Sequence, residues 1–168
     1  MSVSAPGLVK DLKRQVGALE VDLLRQVEDL PELAASLRAE HGSATAAGRT
    51  AESWPVWLDA QVTQAAVAWV LACVFVRFCE DNDLADRRWL AGVADTHGDG
   101  LARAVEAQGA WIQSNPRENE RGWLREAFGW LGSTRAGAAL VDERNPVWLG
   151  CFGGRRGGAA GVLPSPGR

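Results

Sequence analysis

The sequence predicts an all-α fold, a compact multi-helix domain that opens on a long amphipathic helix. Three observations predict it. Leu8, Leu12, Val16, Leu19, Leu23, Val27 and Leu30 recur at steps of 4, 4, 3, 4, 4 and 3 residues, the spacing of one helix face. The apolar run over residues 65–76 is longer than a strand and falls short of the ~20 residues a membrane span needs. No segment alternates apolar and polar residues with period two, so strands are not expected.

Each element follows in order. The first stripe is an eleven-residue repeat, and Lys10, Asp11, Lys13, Arg14, Glu20, Asp22, Arg25 and Glu28 fill the other faces. Pro31 suits a first-turn position and restarts the helix, with Leu33 and Leu37 on one side before a polar stretch. Ser53-Trp54-Pro55 is a helix start, with Ser53 as the candidate cap. That helix is expected from Trp54 to about Asp81. Apolar side chains come to surround it, which marks a central helix. Glu80-Asp81-Asn82-Asp83 ends it as a solvated loop, since acids oppose the dipole there. The loop is no EF-hand: its sixth position lacks Gly and its twelfth is Gly92 rather than Glu. A further helix starts at Asp99-Gly100, carries Leu101, Val105, Trp111 and Ile112, and closes at Asn115-Pro116. Asn119 caps the next, with Trp123, Leu124, Phe128 and Leu131, which stops at Gly132. Residues 134–144 form a short, Ala-rich last helix. The eight Trp are expected mainly as core.

The 168 residues make one domain by length, and their aromatic and apolar content argues against wholesale disorder. The net charge is −3, which gives no support to bulk nucleic-acid binding through excess positive charge. The first 148 residues hold all 21 acids but 15 of the 18 basic residues, a net charge of −6. Three Cys without a C-x-x-C, and two His without ligand spacing, exclude a disulfide framework and a structural zinc site. No apolar stretch precedes the first charges, so the start is not read as a signal peptide, and a reduced cytoplasmic setting fits.

Nucleophile elbows, P-loops, H-E-x-x-H and G-x-G-x-x-G are missing from the sequence. Asn145-Pro146-Val147-Trp148 is similar to the NPPY-type tetrapeptide of adenine methyltransferases, which grips the amino group of a flipped-out adenine. Val147 replaces the second Pro, no strand precedes it and no glycine-rich loop lies upstream. It is therefore read as a helix-ending turn. No catalytic, cofactor-binding or metal-ligating residue is assigned. Arg77, Arg87 and Arg88 are the candidates for DNA-phosphate contact, set against ion pairing with Asp81, Asp83 and Asp86.

Residues 61–84, QVTQAAVAWVLACVFVRFCEDNDL, resemble the N-terminal region of the PglX family, the adenine-specific DNA methyltransferases of type 2 BREX phage-defence systems. The opening LVKDLKRQVGALEVDLLRQVEDLPELAASLRAEH, the segment AAGRTAESWPVWLDAQ, the RGWLREAF block and DERNPVWL are similar to it as well. The likeness covers about residues 8–149, and VRFCEDN is its most specific piece. It implies a helical lead-in without catalytic motifs, inactive alone, that serves scaffold or recognition roles. The full-length family uses S-adenosylmethionine and DNA. The implied partners are the rest of the methyltransferase or other BREX proteins, with no membrane. The alternative is an independent helical interaction module, dimeric through residues 8–30.

Composition then divides the chain into a helical domain over residues 1–149 and a disordered Gly/Arg/Pro-rich tail over 150–168. With 16 Arg against 2 Lys and 27 Ala, the coding is GC-rich, and the tail is expected to be either frameshifted or a native flexible end.

Overall fold

The computed structural model describes residues 5–91, 99–142 and 144–151. Among them the fold is all-α, with five α-helices and no strand: α1 (Ala5–Asp29), α2 (Pro31–Ala46), α3 (Trp54–Asp81), α4 (Gly100–Ser114) and α5 (Glu120–Ser133). A 3-10 helix, Pro146–Cys151, follows. The expected tail lies beyond the described residues from 152 onward.

Four of these starts and stops follow the local chemistry. Pro31 opens α2 where its missing N–H does no harm. Gly48, at φ 65, closes α2 in a left-handed turn: its own N–H reaches the Thr45 carbonyl, and the Arg49 N–H reaches Ala44. Asp83, at φ 54, does the same for α3, with Asp83 N bonded to Glu80 O and Leu84 N to Cys79 O. The Asn119 side chain accepts from Arg121 N and Gly122 N and so caps α5.

Two local expectations are corrected. Ser53 occupies the N-cap position of α3 in extended backbone, but its hydroxyl makes no capping bond. The described residues of 134–144 form no helix; 135–140 run as successive turns. A Cβ at Gly137 would collide with the Leu131 carbonyl and side chain. The segment is therefore folded back tightly on the end of α5, and Ala-rich helix propensity yields to that packing.

Around α3 the other elements assemble, since it touches α1, α2, α5 and the 3-10 helix. One core cluster joins Leu23 of α1 to Val62, Ala65 and Ala66; a second joins Val27, Leu33, Leu37 and Trp57. The largest holds Trp69, Val76, Trp89, Trp123, Phe128 and Val147. The C-terminal half of the α1 stripe thus packs on α3, with Leu23 and Val27 buried, while Leu8 at its start is 49% exposed. Polar ties reinforce the seam: Arg121 pairs with Asp22 and donates to Gln26 at 2.6 Å, and Thr63 donates to Glu20 at 2.6 Å. Four Trp are buried (57, 69, 89 and 123) and the other four are half-buried. None is a fully exposed stacking face.

α3 is long and apolar enough by composition to cross a membrane. Its packing on three other helices makes it the central helix of this fold instead. It is not buried on every side, however. Val67, Leu71, Val74, Phe75 and Phe78 are exposed along one face, a correction to the expectation of an all-round buried helix.

Phe128, wholly buried and edge-on to Trp69 at 5.3 Å, is a sensitive core position. Phe128→Ala is expected to lower stability by about 3–5 kcal/mol. Gly109→Ala, in mid-α4 with open space around a Cβ, is expected to raise it by roughly 0.5–1 kcal/mol. Urea-unfolding midpoints measure both.

Candidate functional site

The end of α3 and the loop behind it bring Arg77, Arg87 and Arg88 into one region. Arg77 pairs with Asp81 at 2.8 Å and approaches Glu80 at 3.7 Å. Arg88 donates to Asp83 at 3.2 Å and to the Glu80 carbonyl at 3.3 Å. Arg87 lies over the Trp89 ring, 5.2 Å from its centre. All three candidates are therefore engaged locally, two of them by acids.

Glu80 organises this region, and sequence reasoning missed it. Expected in a solvated loop, it is wholly buried. Its Oε1 accepts from the backbone N–H of Trp89 at 2.5 Å and Leu90 at 2.8 Å, and its Oε2 accepts from Ala91 at 3.2 Å. The carboxylate thus supplies acceptors to three successive backbone donors that no helix or strand satisfies. A signal existed in the sequence. Glu80 continues the buried face of α3 through Trp69, Ala72 and Val76, at helical steps.

The loop then places Trp89. Its carbonyl accepts from Trp123 Nε1 at 2.9 Å, and its ring sits 4.7 Å from Trp123 and 6.2 Å from Trp130. Glu80 is in this way linked to α5 through one loop. Nearby, burial pushes the Cys73 thiol up to about 11. Cys79 is raised as well, by burial first and then by the Glu80 charge.

The 3-10 helix closes the other side of α3. Trp69 Nε1 donates to the Val147 carbonyl at 2.6 Å, a buried bond, and Val147 itself is buried. Asn145 accepts from Val147 N at 2.9 Å and donates to Leu140 O at 2.5 Å. Its amide is thus engaged with the backbone of Leu140 and Val147. The tetrapeptide opens a 3-10 helix rather than ending an α-helix. Between it and α3 lies a groove of about 440 Å³, floored by Val67, Leu71 and Phe75 and edged by Leu140 and Pro146. Among the described residues, no three His, Cys, Asp or Glu side chains converge as a metal site.

The chain is 45% identical over 147 residues to the adenine-specific methyltransferase PglX of Streptomyces coelicolor, across 87% of its own length. It is related to PglX over that stretch. The aligned stretch is 12% of the PglX chain, about an eighth of its length. No family model matches the chain, and no solved structure does. Among the described residues nothing forms a nucleotide-type cradle of the kind S-adenosylmethionine would need. The described ones include no strand, hence no strand–loop–helix turn to cradle it, and the α3 groove is mostly apolar.

Glu80→Ala leaves three buried amides without an acceptor and is expected to destabilise the fold by about 3 kcal/mol or more. Glu80→Gln, with one acceptor oxygen in place of two, is expected to lose about 1–3 kcal/mol. Urea unfolding measures the loss, and hydrogen exchange should show the Trp89, Leu90 and Ala91 amides deprotected first. Cys73, with its raised thiol, is expected to stay unalkylated by iodoacetamide at pH 8 while the protein is folded.

Proposed function

We propose that the chain is a helical, non-catalytic part of a BREX adenine-N6 DNA methyltransferase, placed at its N-terminal end. Its role there is to pack and orient the rest of the enzyme. The observation that carries this reading is the 45% identity to PglX over nearly the whole chain. The chemistry of the described residues supports it: the polar groups that converge, at Glu80 and at Asn145, bind this chain's own backbone. In this reading the protein acts in the cytoplasm, and its partners are the remaining PglX polypeptide, other BREX proteins and, through the whole enzyme, DNA. S-adenosylmethionine belongs to the parts of the enzyme beyond this segment.

The same reading keeps Arg77, Arg87 and Arg88 as secondary DNA-phosphate contacts. What supports it is their gathering at one end of α3, with the side chains of Arg77 and Arg88 about a third exposed. Their acid partners limit the strength of any such contact.

The test is a segment exchange. Streptomyces coelicolor PglX with its aligned stretch deleted is expected to lose DNA adenine methylation. Replacing that stretch with residues 5–149 of this chain is expected to restore at least a tenth of the rate. The chain alone is expected to give no heat with S-adenosylmethionine by calorimetry and no methylation. A micromolar titration, or a chimaera as dead as the deletion, would overturn the reading.

A further inference from the structure

The exposed face of α3 is an apolar stripe that no described residue covers. Val67, Leu71, Val74, Phe75 and Phe78 follow one another at helical steps, each 38–55% exposed. Only 39% of the most apolar window of α3 is buried, although a core helix of such composition is normally buried for the most part. Leu140, 37% exposed, extends the stripe across the groove, where Thr63, Gln64 and Asn145 are the polar lining residues. A contiguous apolar patch with a polar rim marks a surface that something covers.

Three occupants compete. A lipid surface is disfavoured by charge. The chain is net −3, and no basic rim lines the groove. A second copy would need a self-complementary surface, and protection at high concentration in the isolated chain is its signature. The third occupant is the remainder of a PglX polypeptide. The aligned stretch accounts for only 12% of that protein, so seven eighths of it lies outside this segment and must pack somewhere.

We infer that the α3 groove is where the rest of the PglX polypeptide docks, through an apolar helix face laid along Val67, Leu71 and Phe75. The inference rests on the proposed function above and adds the surface that performs it. A docked helix would bury the stripe and leave the opposite, already buried face of α3 unchanged.

Thiol labelling tests it with intact proteins. Leu71→Cys reports the groove, and Val21→Cys, exposed at 58% on α1 and not among the groove-lining residues, is the control. In this chain both are expected to react with a maleimide at similar rates. At the aligned positions of full-length PglX, the Leu71 position is expected to react at least tenfold more slowly, and the Val21 position at its former rate. Peptide-resolved mass spectrometry assigns each label, and circular dichroism checks helicity. Equal reactivity of the two positions in PglX, both protected or both open, overturns the groove. So does protection of Leu71→Cys in the isolated chain at high concentration, which assigns a second copy, or on adding phosphatidylcholine vesicles, which assigns lipid. An active chimaera with an unprotected Leu71 position refutes the groove alone; a dead chimaera refutes the wider reading.

Discussion

A charged carboxylate with no solvent contact sits at the C-terminal end of α3, where the helix dipole is against it. Burial of such a group is unfavourable by several kcal/mol unless hydrogen bonds and a countercharge compensate it. Glu80 has both. Three backbone N–H groups converge on its two oxygens, and Arg77 stands at 3.7 Å. The loop from Asp83 to Ala91 has this carboxylate as its anchor. Through Trp89 the anchor reaches α5, because the Trp123 indole donates to the Trp89 carbonyl and packs at a tilt against its ring. The largest core cluster is therefore assembled around an ion rather than around apolar contact alone.

The opposite constraint acts at the other end of the same core. Burying the Trp69 indole N–H without a partner is unfavourable, and the Val147 carbonyl supplies one across 78 residues of sequence. The bond draws the closing 3-10 helix onto α3 and forms the far wall of the apolar groove. One helix thus carries three functions by face. It receives the α1 stripe, it holds the Trp-rich core with Glu80, and it leaves Val67, Leu71 and Phe75 uncovered.

Much of this was legible in the sequence, and the misses have a common cause. Spacing located α3, α4 and α5 to within about a residue and α1 to within about three, because apolar period and start signals such as Pro31, Pro55 and Asn119 act locally. The misses are all places where a distant contact decides. Glu80-Asp81-Asn82-Asp83 reads as solvated by composition, and only the periodicity through Trp69, Ala72 and Val76 would have moved Glu80 inside. Residues 134–144 read as helix by Ala content, yet the close approach at Gly137 to Leu131 requires turns. The uncovered stripe was hidden by the same rule that found α3, since a helix apolar on all sides is normally enclosed.

The Arg surplus takes its meaning from these contacts. Attraction to a phosphate backbone comes from neutralising charge that releases counterions, and an arginine already beside a carboxylate brings that carboxylate with it. Arg121 holds Asp22, Arg125 holds Glu118 at 2.8 Å, Arg77 holds Asp81 and Arg88 holds Asp83. Each pair is close to neutral seen from a Debye length away, about 8–10 Å at ordinary salt. The cations of this segment therefore act as internal fasteners between helices and loops. Long-range steering of DNA toward the enzyme has to come from charge that is not balanced in this way.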